Sequence, residues 1–214
     1  MQKTISPQTL RRLPAYLHYL RVLLKKGAVN ISATMIACEL NLNDVQVRKD
    51  LALVSGSGRP KTGYEIKNLI SDIEHCLGYG NGDRAVIIGA GELGCALLTY
   101  EGFTEYGIDI VAAFDIDRSM KDTTMNGKQV FSVEKLPAVC SERKINIGII
   151  TVEAKDAQKA SNMLVENGVM AIWNFAPVHL AVPDHVLVQN ENLGSSLVIL
   201  SKQLANKLGT DQNS

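Results

Sequence analysis

The cysteines of this chain form no pattern: Cys38, Cys76, Cys95 and Cys140 lie far apart, and no two make a CxxC pair. Such spacing excludes the common zinc signatures and offers no disulfide framework, so no metal is expected and a reducing cytoplasm is the expected home. Long apolar runs are missing too. No stretch approaches the roughly 18 uninterrupted apolar residues of a membrane-spanning helix, and no membrane partner is expected. The opening MQKTISPQTLRRLP has no apolar segment followed by small residues, so no secretory signal is read there. Low-complexity tracts and internal repeats are likewise missing. What is present is 46% hydrophobic residues over 214 positions, enough for two small folded domains.

Lys and Arg together number 22, as do Asp and Glu, so the net charge is zero. The average conceals an asymmetry. Residues 1–61 hold ten bases (Lys3, Arg11, Arg12, Arg21, Lys25, Lys26, Arg48, Lys49, Arg59, Lys61) against three acids (Glu39, Asp44, Asp50). A basic end on a neutral protein is the footprint of a phosphate-binding head; the plain alternative is a solvated basic face.

Gly78, Gly80 and Gly82 fall within five residues and mark a connector. They separate a head, 1–78, from an alternating strand and helix pattern over 84–190, followed by a lone segment, 191–209. In the head, Leu13, Tyr16, Leu17, Leu20 and Leu24 at helical spacing predict a helix to about Lys26, with Pro14 implying a late start or a kink. Ser32 is the expected cap of a second helix carrying Met35, Ile36 and Leu40. Asn43 and Gln46 form a capping box for a third over 44–54 that buries Val45, Leu51 and Val54. Two short helices joined by a tight turn fit a helix-turn-helix. Gln46 is placed to read an adenine edge, and Arg48 and Lys49 to contact guanine or phosphate. The following SGSGRPKTGY has the composition of a wing whose Arg59 or Lys61 enters a minor groove.

The second domain carries the sharper motif. Residues 84–88 (RAVII) make a short apolar strand that runs into Gly89-Ala90-Gly91-Glu92-Leu93-Gly94, a GxGxxG, followed by a helix. A second strand over 110–114 ends at Asp115, 21 residues beyond Gly94. In that setting the motif points to a Rossmann dinucleotide site. Gly89 allows the tight turn, Gly91 lets backbone approach the pyrophosphate, and Gly94 lets helix pack on strand. The helix N-terminus faces the phosphates. Asp115 would bind the adenosine ribose hydroxyls and repel a 2′-phosphate, favouring NAD(H) over NADP(H), with Arg118 nearby as a counterweight. Strands at 145–152, 169–173 and 186–188 alternate with helices at 133–143 and 154–167, giving an α/β fold with a doubly wound parallel sheet. Thr151, Val152 and the turn Asn174-Phe175-Ala176-Pro177 then lie at the carboxyl edge, near the nicotinamide half. Leu193, Leu197, Leu200, Leu204 and Leu208 give a final amphipathic helix for its own domain or for a dimer.

In order, the segments RRLPAYLHYL, VQVRKDL, GAGELG, TYEGF, VAAFDID, AQKASNMLVENGV and NFAPV resemble the Rex family of redox-sensing transcriptional repressors over nearly the whole chain. The resemblance implies a homodimer with winged-helix heads on an AT-rich palindromic operator, Rossmann domains binding NAD(H), and a C-terminal helix exchanged between subunits. It implies that NADH favours release of DNA and NAD+ permits binding. Arg48 and Lys49 fall on the family's DNA contacts, Tyr100 on the tyrosine near the nicotinamide, and 175–177 on the nicotinamide-side loop.

Departures from the family pattern are visible. The wing usually reads YFGEFGKRGVGY and here reads LVSGSGRPKTGY; an aspartate that couples pocket to head is replaced by Asn192; TVP is Thr151-Val152-Glu153. Cys95 occupies a commonly basic position. Its place in the first turn of a helix invites a thiol-sensor reading, against the plainer one of a small packed residue. A regulator whose Rossmann domain only dimerises or senses another ligand is one alternative. An NAD-dependent dehydrogenase is the other, but His179 and His185 lack an acid partner and no substrate domain follows the sheet, so no catalytic residue is assigned.

Overall fold

A computed structural model describes residues 5–80, 82–116 and 123–210, so Arg118 lies outside the described residues. The chain divides into two compact units on either side of the 81/82 bond.

The first unit is a small helical domain closed by a two-stranded sheet. Helix α1 (Pro7–Lys25) starts where the Ser6 hydroxyl accepts from the Thr9 amide at 3.2 Å, with Pro7 at the first position, where a missing N–H is harmless. It runs through Pro14 unbroken, neither starting late nor ending there. Strand β1 (Asn30–Ile31) leads to α2 (Ala33–Glu39), capped by Ser32, and then α3 (Asp44–Val54), capped by Asn43. Only half of the expected capping box forms: Asn43 accepts from the Gln46 amide N–H at 3.1 Å, while the Gln46 side chain turns to Asp50. Val45 was expected inside and is exposed, as is Met35. On the helix that begins at Asp44, Val47, Asp50, Leu51 and Val54 share one face, and Val45 falls on the other. Strand β2 (Tyr64–Glu65) pairs antiparallel with β1, and a further helix, α4 (Ile66–Cys76), closes the core with Ile66, Leu69 and Ile73.

The second unit is a seven-stranded sheet. Its strands are β3 (Asp83–Ile88), β4 (Ile108–Asp115), β5 (Thr123–Met125), β6 (Lys128–Ser132), β7 (Ile147–Ile150), β8 (Ala171–Asn174) and β9 (Leu187–Asn190). The order is β5-β6-β4-β3-β7-β8-β9, parallel throughout except for β5. The antiparallel edge hairpin is a correction to the all-parallel expectation. Its turn is Asn126-Gly127, both at positive φ, which matches the twist of a two-residue hairpin. Helix α5 (Glu92–Thr99) follows β3, α6 (Leu136–Arg143) follows β6, and α7 (Ala154–Glu166) follows β7.

Alternation along β3 assigns the two buried faces. Val86 and Ile88 pack with Leu136, Val139, Ala157 and Leu164 of α6 and α7; Ala85 and Ile87 pack with Leu98 of α5. Strand order reverses between β3 and β7, and the crevice beyond their carboxyl ends is where such sheets bind ligands. Helix α8 (Leu193–Thr210) begins after Asn192, whose side chain accepts from the Ser195 amide at 3.1 Å.

Candidate dinucleotide site and nucleic-acid interface

The GxGxxG turn is built as its chemistry requires. Gly89 takes φ +105°, and a Cβ there would meet the Val152 side chain at 2.9 Å. A Cβ on Gly94 would lie 1.9 Å from the Gly89 carbonyl oxygen, so the first turn of α5 sits directly on the strand end. Gly91, by contrast, faces open space: a Cβ there would meet no protein atom within 4 Å. The first turn of α5 has N–H groups without intrahelical acceptors, and Gly91 leaves the approach to them clear. This is the fit expected for a pyrophosphate.

At the end of β4, Asp115 accepts from the Ala90 amide at 2.6 Å, tying the acid to the glycine turn. Thr151 donates its hydroxyl to the Gly89 carbonyl at 2.7 Å and so fixes the switch-point crevice from the β7 side. Glu92 is exposed and Leu93 half-buried on the first turn of α5. Asn174 is a structural residue as well as an edge residue. Its buried amide donates to the carbonyls of Ala176 and Val178 and to Asn190, and its oxygen accepts from the Ala176 amide. That network shapes the turn that sets Phe175 half-buried and Pro177 exposed.

Tyr100 and Phe175 are linked by two residues the sequence reading missed. Tyr100 meets Phe103 edge-on at 5.0 Å, Phe103 meets Trp173 at 5.9 Å, and Trp173 meets Phe175 at 4.5 Å. The line of rings joins the end of α5 to the end of β8, with Tyr100 exposed. TYEGF and WNF carry these aromatics in plain sight, but only the parallel order of β3, β7 and β8 brings them together.

Cys95 does not have the environment of a sensor. Its thiol donates to the Ala90 carbonyl at 2.9 Å, and burial, then the charge of Asp115, push its pKa up. The packed reading holds over the helix-dipole effect. Alkylation by iodoacetamide at neutral pH should be slower at Cys95 than at the exposed Cys38, as read by peptide mass mapping.

In the first unit, a basic concavity of about 480 Å³ lies between α3, the start of α2 and the segment after α3. Arg48, Arg59 and Lys61 line it together with Tyr64, and no described acid does. Arg59 and Gly63 exchange backbone hydrogen bonds at 2.8 and 2.9 Å, closing a short wing whose tip places Lys61 at φ +65°. Arg48 also forks onto Asp44 one turn earlier, at 2.8 Å, and reaches the Thr34 hydroxyl at 3.2 Å. Lys49 is exposed on the same helix. Gln46 donates one amide hydrogen inward to Asp50 at 3.0 Å.

Asp50 is the buried centre of this head. It accepts from Thr9, from Arg12 through both Nε and Nη2, from Tyr16 and from Gln46, at 2.7–3.0 Å. Burial pushes its carboxyl up, but the four donors more than reverse this and hold it below the usual carboxylate range. Burial, and then the bond to Asp50, push the Tyr16 phenol up to about 12. This one carboxylate ties α3 to three residues of α1.

Comparison with known proteins places both units. Residues 81–178 match the family model "CoA binding domain", and residues 4–52 match "Putative DNA-binding protein N-terminus". The redox-sensing transcriptional repressor Rex of Treponema denticola is 43% identical over 206 residues, covering 96% of this chain and 98% of that protein. The chain belongs to the Rex family. Rex of Bacteroides fragilis is 39% identical over 200 residues, covering 94% of this chain and 91% of its own. Among solved structures, the Rex-family repressor RSP in complex with β-NAD+ and operator DNA matches with a TM-score of 0.88 at 32% identity, over 98% of this chain and 97% of RSP. RSP with β-NADH matches at 0.86, over 99% of this chain and all of that one.

Within the Rex family this chain keeps the glycine turn and the terminal acid of β4 but alters the rim. Glu153 replaces the proline of the usual TVP and pairs in solvent with Lys155 at 2.8 Å. Asn192, in place of the family aspartate, caps α8. Arg12 is bonded to Asp50.

Proposed function

We infer that this protein is a transcriptional repressor that binds operator DNA through its first unit and senses the NADH/NAD+ ratio through its second. The observation that carries this reading is the joint presence of a formed GxGxxG crevice ending at Asp115 and a basic helix-and-wing concavity, in a chain of the Rex family. RSP has been solved with β-NAD+ and operator DNA, and with β-NADH.

In this reading the pyrophosphate meets the first turn of α5 over Gly91, and Asp115 takes the adenosine ribose. The nicotinamide lies toward Thr151, Phe175 and Tyr100. NAD+ and NADH differ at that ring alone, one cationic and planar, the other neutral and puckered. The exposed Tyr100, held edge-on to Phe103, is the group placed to respond to that difference. In the head, Arg48, Lys49, Arg59 and Lys61 meet DNA. Gln46 adds a polar contact.

Helix α8 supports a homodimer with that helix exchanged between subunits. Leu193, Leu197, Val198, Leu200, Leu204 and Leu208 are each more than half exposed. A continuous apolar helix face of that kind calls for a partner surface. Two heads related by a twofold axis read a palindrome, for which an AT-rich operator is proposed. Among the described residues no helix is long and apolar enough to cross a membrane, and a cytoplasmic location is proposed.

The test separates the two halves. Arg48→Ala or Lys49→Ala should weaken operator binding about tenfold or more in a mobility-shift titration. NADH affinity, by calorimetry without DNA, should stay within about twofold on the same protein, because both residues lie in the first unit and the dinucleotide site in the second. Unchanged operator binding by both variants would remove the helix-and-wing reading.

A further inference from the structure

Beside Asp115 the crevice continues as a narrow apolar slot between the end of β4 and the side of α7. Phe114, Ile116, Val133 and Val152 form its walls, and α7 contributes Asp156, Lys159, Ala160 and Met163 from one helical face. The enclosed volume is small, about 60 Å³, so the slot grips part of a planar group and leaves the rest at the mouth. Lys159 is exposed there and Asp156 half-buried.

An acid in the first turn of a helix is favourable on its own, but a lysine in the second turn has no such reason. Asp156 and Lys159 stand one turn apart and do not pair with each other. Neither side chain makes a hydrogen bond or close ion pair with any described residue, although the Asp156 charge acts on Lys155 beside it. They present one acceptor and one donor, side by side, at the mouth of an apolar slot that adjoins the ribose acid.

We propose that Asp156 and Lys159 read the edge of the cofactor's adenine. This rests on the NAD(H) reading above and adds to it a pair of residues that select the base. Adenine offers an N6 amino donor next to a ring-nitrogen acceptor. The Asp156 carboxylate accepts from the amino group, and the Lys159 ammonium donates to the ring nitrogen. Hypoxanthine turns the amino donor into a carbonyl acceptor, which would face the carboxylate lone pair to lone pair.

Calorimetric titration of the full chain with NADH and with its hypoxanthine analogue, reduced nicotinamide hypoxanthine dinucleotide, tests this. NADH should bind about tenfold tighter or more. Asp156→Asn keeps the shape, and its amide can turn to offer either a donor or an acceptor, so the preference should shrink to about twofold. Lys159→Gln should weaken NADH binding severalfold. Equal binding of the two dinucleotides by the unaltered protein overturns the proposal while leaving the NAD(H) reading intact, as does an Asp156→Asn variant that keeps the full preference. Failure to bind either dinucleotide overturns both.

Discussion

Asp50→Ala is expected to destabilise the first unit by about 3–5 kcal/mol, the usual penalty for breaking a buried, hydrogen-bonded ion pair from one side. The carboxylate side chain is 1% exposed, and the change strands Arg12, itself only a quarter exposed, together with Tyr16 and Thr9. A single core in a domain of about 70–80 residues rarely supplies more than that, so operator binding should be lost with the fold of the head. NADH titration of the same variant should be normal, because every residue of the proposed cofactor site lies beyond position 82. Urea unfolding followed by circular dichroism should show an early transition absent from the unaltered chain.

The same carboxylate has a pH signature. Its folded pKa lies below the ordinary value of about 3.9, so its contribution is fully present above that value. The contribution is lost as pH falls through the lowered folded pKa. Acid unfolding of the head should therefore shift to higher pH in Asp50→Asn, which keeps the shape without the charge. An acid midpoint unmoved by that change would mean that Asp50 does not hold α1 to α3.

Gly94→Ala is the second large effect. A methyl group 1.9 Å from the Gly89 carbonyl oxygen cannot be accommodated without lifting the first turn of α5 from the strand. NADH affinity should fall at least about a hundredfold, or roughly 2.7 kcal/mol, with a lower unfolding midpoint. Gly91→Ala separates the two consequences. Its added carbon meets no protein atom, so the unfolding midpoint should stay where it is while NADH binding is lost to a clash with the pyrophosphate. A Gly91→Ala protein that binds NADH normally would place the dinucleotide elsewhere.

Local rules made much of this protein legible. The three glycines, Asp115 and the strands around them have fixed separations in sequence, and the sheet placed them as that spacing requires. Caps at Ser32 and Asn43 were equally visible, because a cap and its first turn are three residues apart. The β5–β6 hairpin carried its Asn126-Gly127 signal but sat among polar residues that gave no strand period.

Long-range partners were not legible. Asp50 meets Thr9, Arg12 and Tyr16 across 34 to 41 residues, and nothing local marks such a union. Trp173 and Phe103 likewise come together only through strand order. Val45 is exposed because the face of an apolar residue depends on the helix phase, which Asn43 as cap determines. The wing's composition was readable, whereas the gathering of Arg48, Arg59 and Lys61 in one concavity needed the fold.

The most direct test of redox-controlled repression is a mobility-shift titration of the full chain on an AT-rich palindromic operator. Total dinucleotide is held constant while the NADH:NAD+ ratio is varied. Operator affinity should fall steadily as the NADH share rises, and by linkage operator DNA should lower NADH affinity by the same factor. Equal operator affinity at every ratio, in a protein that binds NADH by calorimetry, would contradict redox sensing and leave a DNA-binding protein with a dinucleotide bound for another purpose.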